Sequence, residues 1–149
     1  MHDAAPHAKV ITVGCPAVLP EDASACNRPS LTELGSISHA DVNWLREDVL
    51  EPLNGSIKRA SSFFGDRYVD IYSSSPGHDA CQPAEPADTK WVEGICGEAG
   101  DYWPAKLPGT LLNCGVVGKR ATLVHPDAEG HASAAEHVER AIRIALLER

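Results

Sequence analysis

The chain has 149 residues, a hydrophobic content of 43% and a net charge of −8, which suits one domain with a real core. Its lysines and arginines are not clustered, so the sequence excludes a protein that binds nucleic-acid phosphates through a concentrated basic surface. No apolar run approaches the ~20 residues of a membrane span, and the polar start MHDAAPHAK contains no signal-peptide core.

The first predicted element is a buried strand in the segment AKVITVGCP. This β-branched run ends at Gly14 and Pro16 and has the character of a parallel strand. The following residues are rich in Pro, Ser and Asp, and they predict a long loop rather than a regular element.

A long helix is predicted next, beginning at a capping box formed by Ser38 and Asp41. Its apolar stripe consists of Val42, Leu45, Val49, Leu53, Ile57, Ala60 and Phe64. Pro52 lies within the stripe and predicts a kink or break near Glu51, and Gly65 is placed to end the helix.

The second half of the chain contains a strand in RYVDIYSS, a long segment without periodicity over residues 76–121, and a closing helix from about Gly130 to Glu148. A loop of that length is either a functional surface or a pinned excursion. Strand, helix, strand, loop and helix in this order predict an α/β fold. Two strands are too few for a parallel sheet with covered faces, so we expect further strands upstream.

His125 is the strongest catalytic candidate, because Pro126 restrains its backbone just ahead of the closing helix. Histidine titrates near neutral pH and therefore serves as a general base without further tuning. Loops of this kind gather at the carboxyl ends of parallel strands, where ligands bind. The alternative is a solvated loop histidine.

The other polar candidates carry weaker signals. His131 and His137 are six residues apart and do not share a helix face as a metal-binding pair would. His78 lies in the segment SPGHDAC, where a turn anchored by Asp79 and a disulfide is the simpler interpretation. The serines Ser73 to Ser75 occur in no Gly-x-Ser-x-Gly motif. No nucleophile accompanies His125 in this sequence.

Several segments resemble the C-terminal half of secreted actinobacterial esterases and lipases of the SGNH (GDSL-type) hydrolase family. The resemblance covers most of the chain and is most specific in YVDIYSSSPGHDAC and VHPDAEGHA; it also includes APHAKVITVGCPAVLP, LNGSIKRA and KWVEGI. It implies a flavodoxin-like α/β/α fold with a parallel sheet of order 2-1-3-4-5, of which this chain supplies the last strands and helices as residues 1–149 of one domain.

The resemblance also implies the site residues. His125, Pro126, Asp127 and Gly130 match the block that carries the family's catalytic histidine, with Asp127 where Asn is commoner. Many members have an aspartate three residues before that histidine, a position occupied here by Thr122. Other members orient the imidazole through a main-chain carbonyl, which assigns that role to the carbonyl of Thr122. No cofactor or metal is implied.

The family's Gly-Asp-Ser nucleophile and its oxyanion-hole blocks should precede the first strand, and they are absent from this sequence. We therefore interpret the chain as part of a carboxylic-ester hydrolase, secreted and monomeric as a full-length parent, acting on small-molecule or lipid esters. The alternative is a catalytically inactive remnant or a binding module. A lost N-terminal half would also explain a cysteine-rich chain without a signal peptide.

Five cysteines without a C-x-x-C pair do not predict a structural zinc site, and they favour disulfides in an oxidising compartment. Cys26 follows the first strand and Cys81 follows the second, so in a parallel sheet both loops leave the same edge. We predict a Cys26–Cys81 disulfide, a Cys96–Cys114 disulfide as the second pair, and a free Cys15.

Overall fold

A pair of short parallel strands forms the centre of the computed structural model, which describes residues 2–86, 89–100 and 103–148. Strand β1 (Ile11–Val13) pairs with β2 (Arg67–Val69), with Ile11 opposite Arg67 and Val13 opposite Val69. The pairing continues beyond β1, where the Gly14 amide donates to the Val69 carbonyl at 3.0 Å. Both predicted strands and their parallel direction are confirmed.

The predicted long helix consists of three consecutive pieces: α1 (His39–Trp44), a π-helical turn (Leu45–Leu50) and α2 (Glu51–Phe64). The Ser38 side chain caps α1 by accepting from the Asp41 amide, and Gly65 ends α2 in a left-handed conformation. Pro52 has no amide to donate, so it weakens the ordinary helical ladder just ahead of it. The Glu51 amide donates five residues back to the Arg46 carbonyl, and this turn is the predicted irregularity.

One helix packs on each face of the β1–β2 pair. Side chains alternate between faces along a strand; Tyr68 contacts α2 through a hydrogen bond from its hydroxyl to Asn54 at 3.3 Å, and Val69 faces the other way. Helix α3 (Ala128–Leu147) packs Ala134, Val138 and Ala141 against Val69, Ile71 and Ile11. The α/β class is therefore confirmed.

The predicted apolar stripe of the long helix is only partly buried. Val42 is fully buried, but Val49, Leu53 and Phe64 are 41%, 46% and 60% exposed, and Asn54 is buried in their place. The helix approaches β1 so closely that a Cβ on Gly14 would lie 2.7 Å from the Asn54 Oδ1. Because the small polar side chain of Asn54 occupies the point where the helix comes nearest to Gly14, the larger apolar side chains of the helix face solvent.

The segment predicted as a long loop contains two more strands, β3 (Cys96–Gly97) and β4 (Arg120–Ala121), which pair in antiparallel fashion. Strands of two residues have no detectable alternation, so periodicity could not reveal them. The Cys96–Cys114 disulfide, with a Cα separation of 5.4 Å, fixes the connection between them.

The largest apolar cluster surrounds the Cys26–Cys81 disulfide, whose Cα atoms are 4.9 Å apart. This disulfide joins the loop after β1 to the loop after β2, as the parallel pairing predicts, and the Ala80 amide also donates to the Val18 carbonyl at 3.2 Å. Cys15 is a free thiol. Within the described residues, no helix combines the length and apolar character needed to cross a membrane.

Candidate active site

The loop that carries His125 is held by backbone hydrogen bonds to the segment from Trp91 to Ile95. The Asp127 amide donates to the Trp91 carbonyl at 2.9 Å, and the Glu93 amide donates to the His125 carbonyl at 2.9 Å. Val92 and Pro126 form an isolated antiparallel bridge between these two bonds. The position of His125 therefore depends on main-chain pairing rather than on side-chain packing.

Leu123 and Val124, the two residues immediately before His125, have left-handed backbones with φ values of 55° and 60°. Such conformations cost about 1–3 kcal/mol each for residues other than glycine and persist only where the surroundings enforce them. The Ile95 carbonyl accepts from the amides of Thr122 and Leu123 at 3.1 and 3.0 Å, and the Gly94 carbonyl accepts from the Val124 amide at 2.8 Å. The loop thus stores backbone strain directly ahead of the histidine.

Replacing Leu123 by asparagine is expected to raise the free energy of unfolding by about 0.5–1 kcal/mol, because asparagine tolerates the left-handed region better than leucine. Leu123 is 53% exposed, so little packing is lost. Urea denaturation would measure the change. Leu111→Asn is the matched control, because Leu111 is exposed and lies outside the left-handed region; an equal gain in both variants would contradict the strain argument.

Helix α3 begins directly after the histidine. The Asp127 side chain caps it by accepting from the Gly130 amide at 2.9 Å. A Cβ on Gly130 would lie 2.4 Å from the Trp91 carbonyl oxygen, so glycine permits the helix start to approach the Trp91 segment. Asp127 and Gly130 therefore have local structural reasons for the places they occupy in the His-Pro segment.

The imidazole of His125 is exposed at the edge of a cleft. Its Nδ1 lies 3.0 Å from the carbonyl oxygen of Pro126, which makes Nδ1 the protonated nitrogen and leaves Nε2 as the base. Among the described residues Nε2 has no hydrogen-bond partner. The carbonyl that contacts the ring is thus that of Pro126 rather than that of Thr122, whose hydroxyl donates to the Gly94 carbonyl at 2.8 Å.

His131 lies beside His125, with ring centroids 5.4 Å apart, and Trp103 contacts His125 edge-on at 5.5 Å. The sequence predicts that His131 packs or points to solvent instead of reaching a cleft. It is exposed, but the first turn of α3 places its ring on the cleft wall. Helix α3 starts at Ala128, two residues before the predicted Gly130, and the role of His131 stays a prediction.

The cleft has a volume of about 490 Å³ and an acidic wall formed by Glu93, Glu98, Asp127 and Glu129. Burial raises the pKa of the Glu93 carboxyl, against the opposing influence of the nearby Lys90 ammonium. Burial likewise lowers the pKa of Lys90, whose Nζ donates to the Thr32 carbonyl at 2.8 Å. Glu93 and Trp103 were missed in the sequence; Glu93 lies within the KWVEGI segment, and no spacing signal marks Trp103.

A smaller cleft of about 220 Å³ shares Pro126 and His131 with the first. Its wall is mainly apolar and includes Pro16, Ile71, Trp91, Val92 and Ala134. The histidine loop therefore separates an acidic cleft from an apolar one. Such an arrangement can accommodate a molecule with one polar and one apolar end.

His78 and Ser75 are structural in their contacts. The His78 ring stacks on Trp91 with centroids 3.6 Å apart, and its Nδ1 lies 3.0 Å from the Thr89 carbonyl oxygen. The buried Ser75 hydroxyl donates to the Ile71 carbonyl and accepts from the Ala17 amide, both at 2.8 Å. Ser75 joins the loops after β1 and β2, so its hydroxyl is engaged on both sides.

A metal site is not supported by the donor chemistry. Among the described residues, the grouping of possible ligands consists of Cys26, Glu33 and Cys81. Its two sulfur atoms are joined in a disulfide, so neither is a thiolate that could bind a metal.

No family model matches the chain. Over 133 residues, it is 32% identical to Lipase 2 of Streptomyces coelicolor, an alignment that covers 89% of this chain and 36% of the relative. Over 84 residues it is 31% identical to an esterase of Streptomyces scabiei, covering 54% of this chain and 24% of that protein. The chain thus spans about a third or less of these curated relatives, and distant homology to proteins with these names supports an esterase or lipase family.

Proposed function

We propose that residues 1–149 are the C-terminal part of a serine esterase or lipase of the SGNH type, with His125 as its general base. The observation that carries the proposal is the exposed His125 on the wall of the cleft, whose Nδ1 is engaged by a main-chain carbonyl so that Nε2 is the nitrogen available as a base. Distant homology to a lipase and an esterase supports the same reaction.

The proposed reaction proceeds through an acyl-enzyme. A serine hydroxyl attacks the carbonyl carbon of a carboxylic ester while Nε2 of His125 takes its proton. The resulting imidazolium then protonates the departing alcohol, and water repeats the sequence on the acyl-enzyme to release the acid and free the serine. Backbone and amide donors stabilise the oxyanion. The apolar cleft beside Pro126 suits the apolar part of the ester.

The carbonyl behind the imidazole fixes its tautomer without supplying a full negative charge. In this structure Pro126 provides that oxygen. The resemblance assigns the role to Thr122, and we retain the Thr122 carbonyl only as a proposal for the complete site.

The nucleophile belongs, in this proposal, to a segment that precedes Met1 in the parent protein. The sequence contains no Gly-Asp-Ser. Among the described strands, β1 and β2 pair only with each other, so each has one edge without a partner strand. An upstream strand could pair with the other edge, as parallel sheets require covered faces and several strands. The two disulfides are compatible with the extracellular location that we propose for the parent.

The second candidate is a catalytically inactive remnant, which the missing Gly-Asp-Ser motif favours. The gene sequence upstream of Met1 separates the two candidates. An in-frame Gly-Asp-Ser about a hundred or more residues upstream, the size of the rest of a domain, supports the enzyme. In-frame stop codons in that region support the remnant.

The isolated chain is expected to hydrolyse p-nitrophenyl esters no faster than free imidazole does, because its sequence contains neither the Gly-Asp-Ser motif nor the family's oxyanion-hole blocks. The measurement is the initial rate with purified protein, compared with an imidazole solution of equal concentration. Turnover that a serine-directed phosphonate abolishes would contradict this, and mass spectrometry of the phosphonylated peptide would then identify the serine.

A further inference from the structure

We propose that the side-chain hydroxyl of Thr122 positions His125 by clamping the left-handed turn of Leu123 and Val124 to the Gly94 carbonyl. The inference rests on the proposed function in one respect: His125 is taken to be the base. This role differs from the one that the resemblance assigns to the Thr122 carbonyl, which is to orient the imidazole ring. The hydroxyl instead holds the backbone that precedes the histidine.

The clamp consists of two hydrogen bonds to one oxygen atom. The Thr122 hydroxyl donates to the Gly94 carbonyl at 2.8 Å, and the Val124 amide donates to the same carbonyl at 2.8 Å. A carbonyl oxygen has two lone pairs, so both are occupied. The two ends of the strained three-residue turn are thereby tied to a single point, and Thr122 is only 4% exposed, which keeps water from competing for that oxygen.

The anchor of the clamp is itself fixed. A Cβ on Gly94 would lie 2.3 Å from the carbonyl oxygens of Thr32 and Glu33, so this segment passes directly against the loop before α1. The Ile95 amide donates to the Glu33 carbonyl at 2.8 Å. Gly94 is therefore held on two sides by main chain, and a displacement of its carbonyl would disturb both.

His125 needs such a clamp because its side chain is exposed, so the direction in which it leaves the main chain depends on the backbone that precedes it. Leu123 and Val124 would relax towards ordinary backbone angles without enforcement. A change at the Val124 backbone redirects the residue that follows it, which is the histidine. Thr122 thus acts through His125 and is a positioning residue.

The first test uses the isolated chain and does not depend on catalysis. Thr122→Val keeps the shape of the side chain but removes the donor, and we expect amide hydrogen exchange at Leu123 and Val124 to become about 10-fold or more faster. Thr122→Ser, which keeps the hydroxyl, should retain slow exchange. Thr110→Val is the matched control, because the exposed Thr110 hydroxyl also donates to a backbone carbonyl, that of Leu107. Unchanged exchange in Thr122→Val would overturn the clamp.

The second test uses the restored protein, defined as this chain preceded by the in-frame Gly-Asp-Ser segment of its gene or by the matching segment of Lipase 2. Thr122→Val should lower kcat for a short-chain ester about 10- to 100-fold, as misplacement of a base by about 1 Å does, with KM within about twofold. Thr122→Ser should recover most of the loss. If His125→Ala abolishes turnover and Thr122→Val keeps more than half of kcat, this inference fails alone; if His125→Ala is fully active, the proposed function fails.

Discussion

Replacing His125 by alanine in the restored protein is expected to lower kcat for a short-chain ester by about three or more powers of ten, as loss of a catalytic-triad base does. The serine then has no group to receive its proton, and the leaving alcohol has none to protonate it. His125 combines a loop fixed by the Trp91 segment with an imidazole that lines the cleft and donates from Nδ1 to the Pro126 carbonyl, which leaves Nε2 as the base. The measurement is kcat at saturating ester, after circular dichroism has confirmed the fold.

His131→Ala and His78→Ala are the controls, and each is expected to keep more than about a tenth of the kcat of the unchanged protein. His131 is the demanding control, because its ring lies beside His125 in the same cleft. His78 is stacked on Trp91, so its loss should lower stability more than turnover. A His125→Ala protein that retains more than about a tenth of kcat would refute the assignment.

The features that could be predicted from the sequence depend on the local effect of particular residue types or on the pairing of two recognisable strands. Any proline inside a helix removes one helical hydrogen bond. The π-helical turn ends at Leu50, just ahead of Pro52. A β-branched run with a glycine after it formed β1 in the predicted place. The Cys26–Cys81 disulfide followed from the parallel pairing of two strands, because that pairing brings their following loops together.

The features that the sequence could not predict depend on contacts between distant segments. Leu123 and Val124 have no local preference for left-handed angles, which are enforced by hydrogen bonds from this turn to the distant carbonyls of Gly94 and Ile95. The buried face of α2 is likewise set by its close approach to Gly14, which overrides the apolar stripe. The spacing of residues in the sequence therefore could not predict the strained turn of the candidate site, although it did indicate His125.

The two disulfides are expected to contribute unequally to stability. Removing the Cys26–Cys81 pair by double alanine substitution should lower the free energy of unfolding by about 4 kcal/mol, and removing the Cys96–Cys114 pair by about 3 kcal/mol. The first closes a sequence separation of 55 residues and the second one of 18. A longer closed loop restricts the unfolded chain more strongly.

The order, rather than either value alone, tests the loop-closure argument. Urea denaturation of the purified variants, with Cys15→Ala as the control for the loss of a thiol outside any disulfide, would measure it. Burial adds to the same order, because Cys26 and Cys81 lie in the largest apolar cluster of the described residues.

Activity should follow the opposite order in the restored protein, with the larger loss of kcat in the variant without Cys96–Cys114. Cys96 is adjacent to Ile95, whose carbonyl holds the turn before His125. If losing Cys96–Cys114 leaves kcat unchanged while losing Cys26–Cys81 lowers it, the histidine loop does not depend on the segment to which the structure ties it.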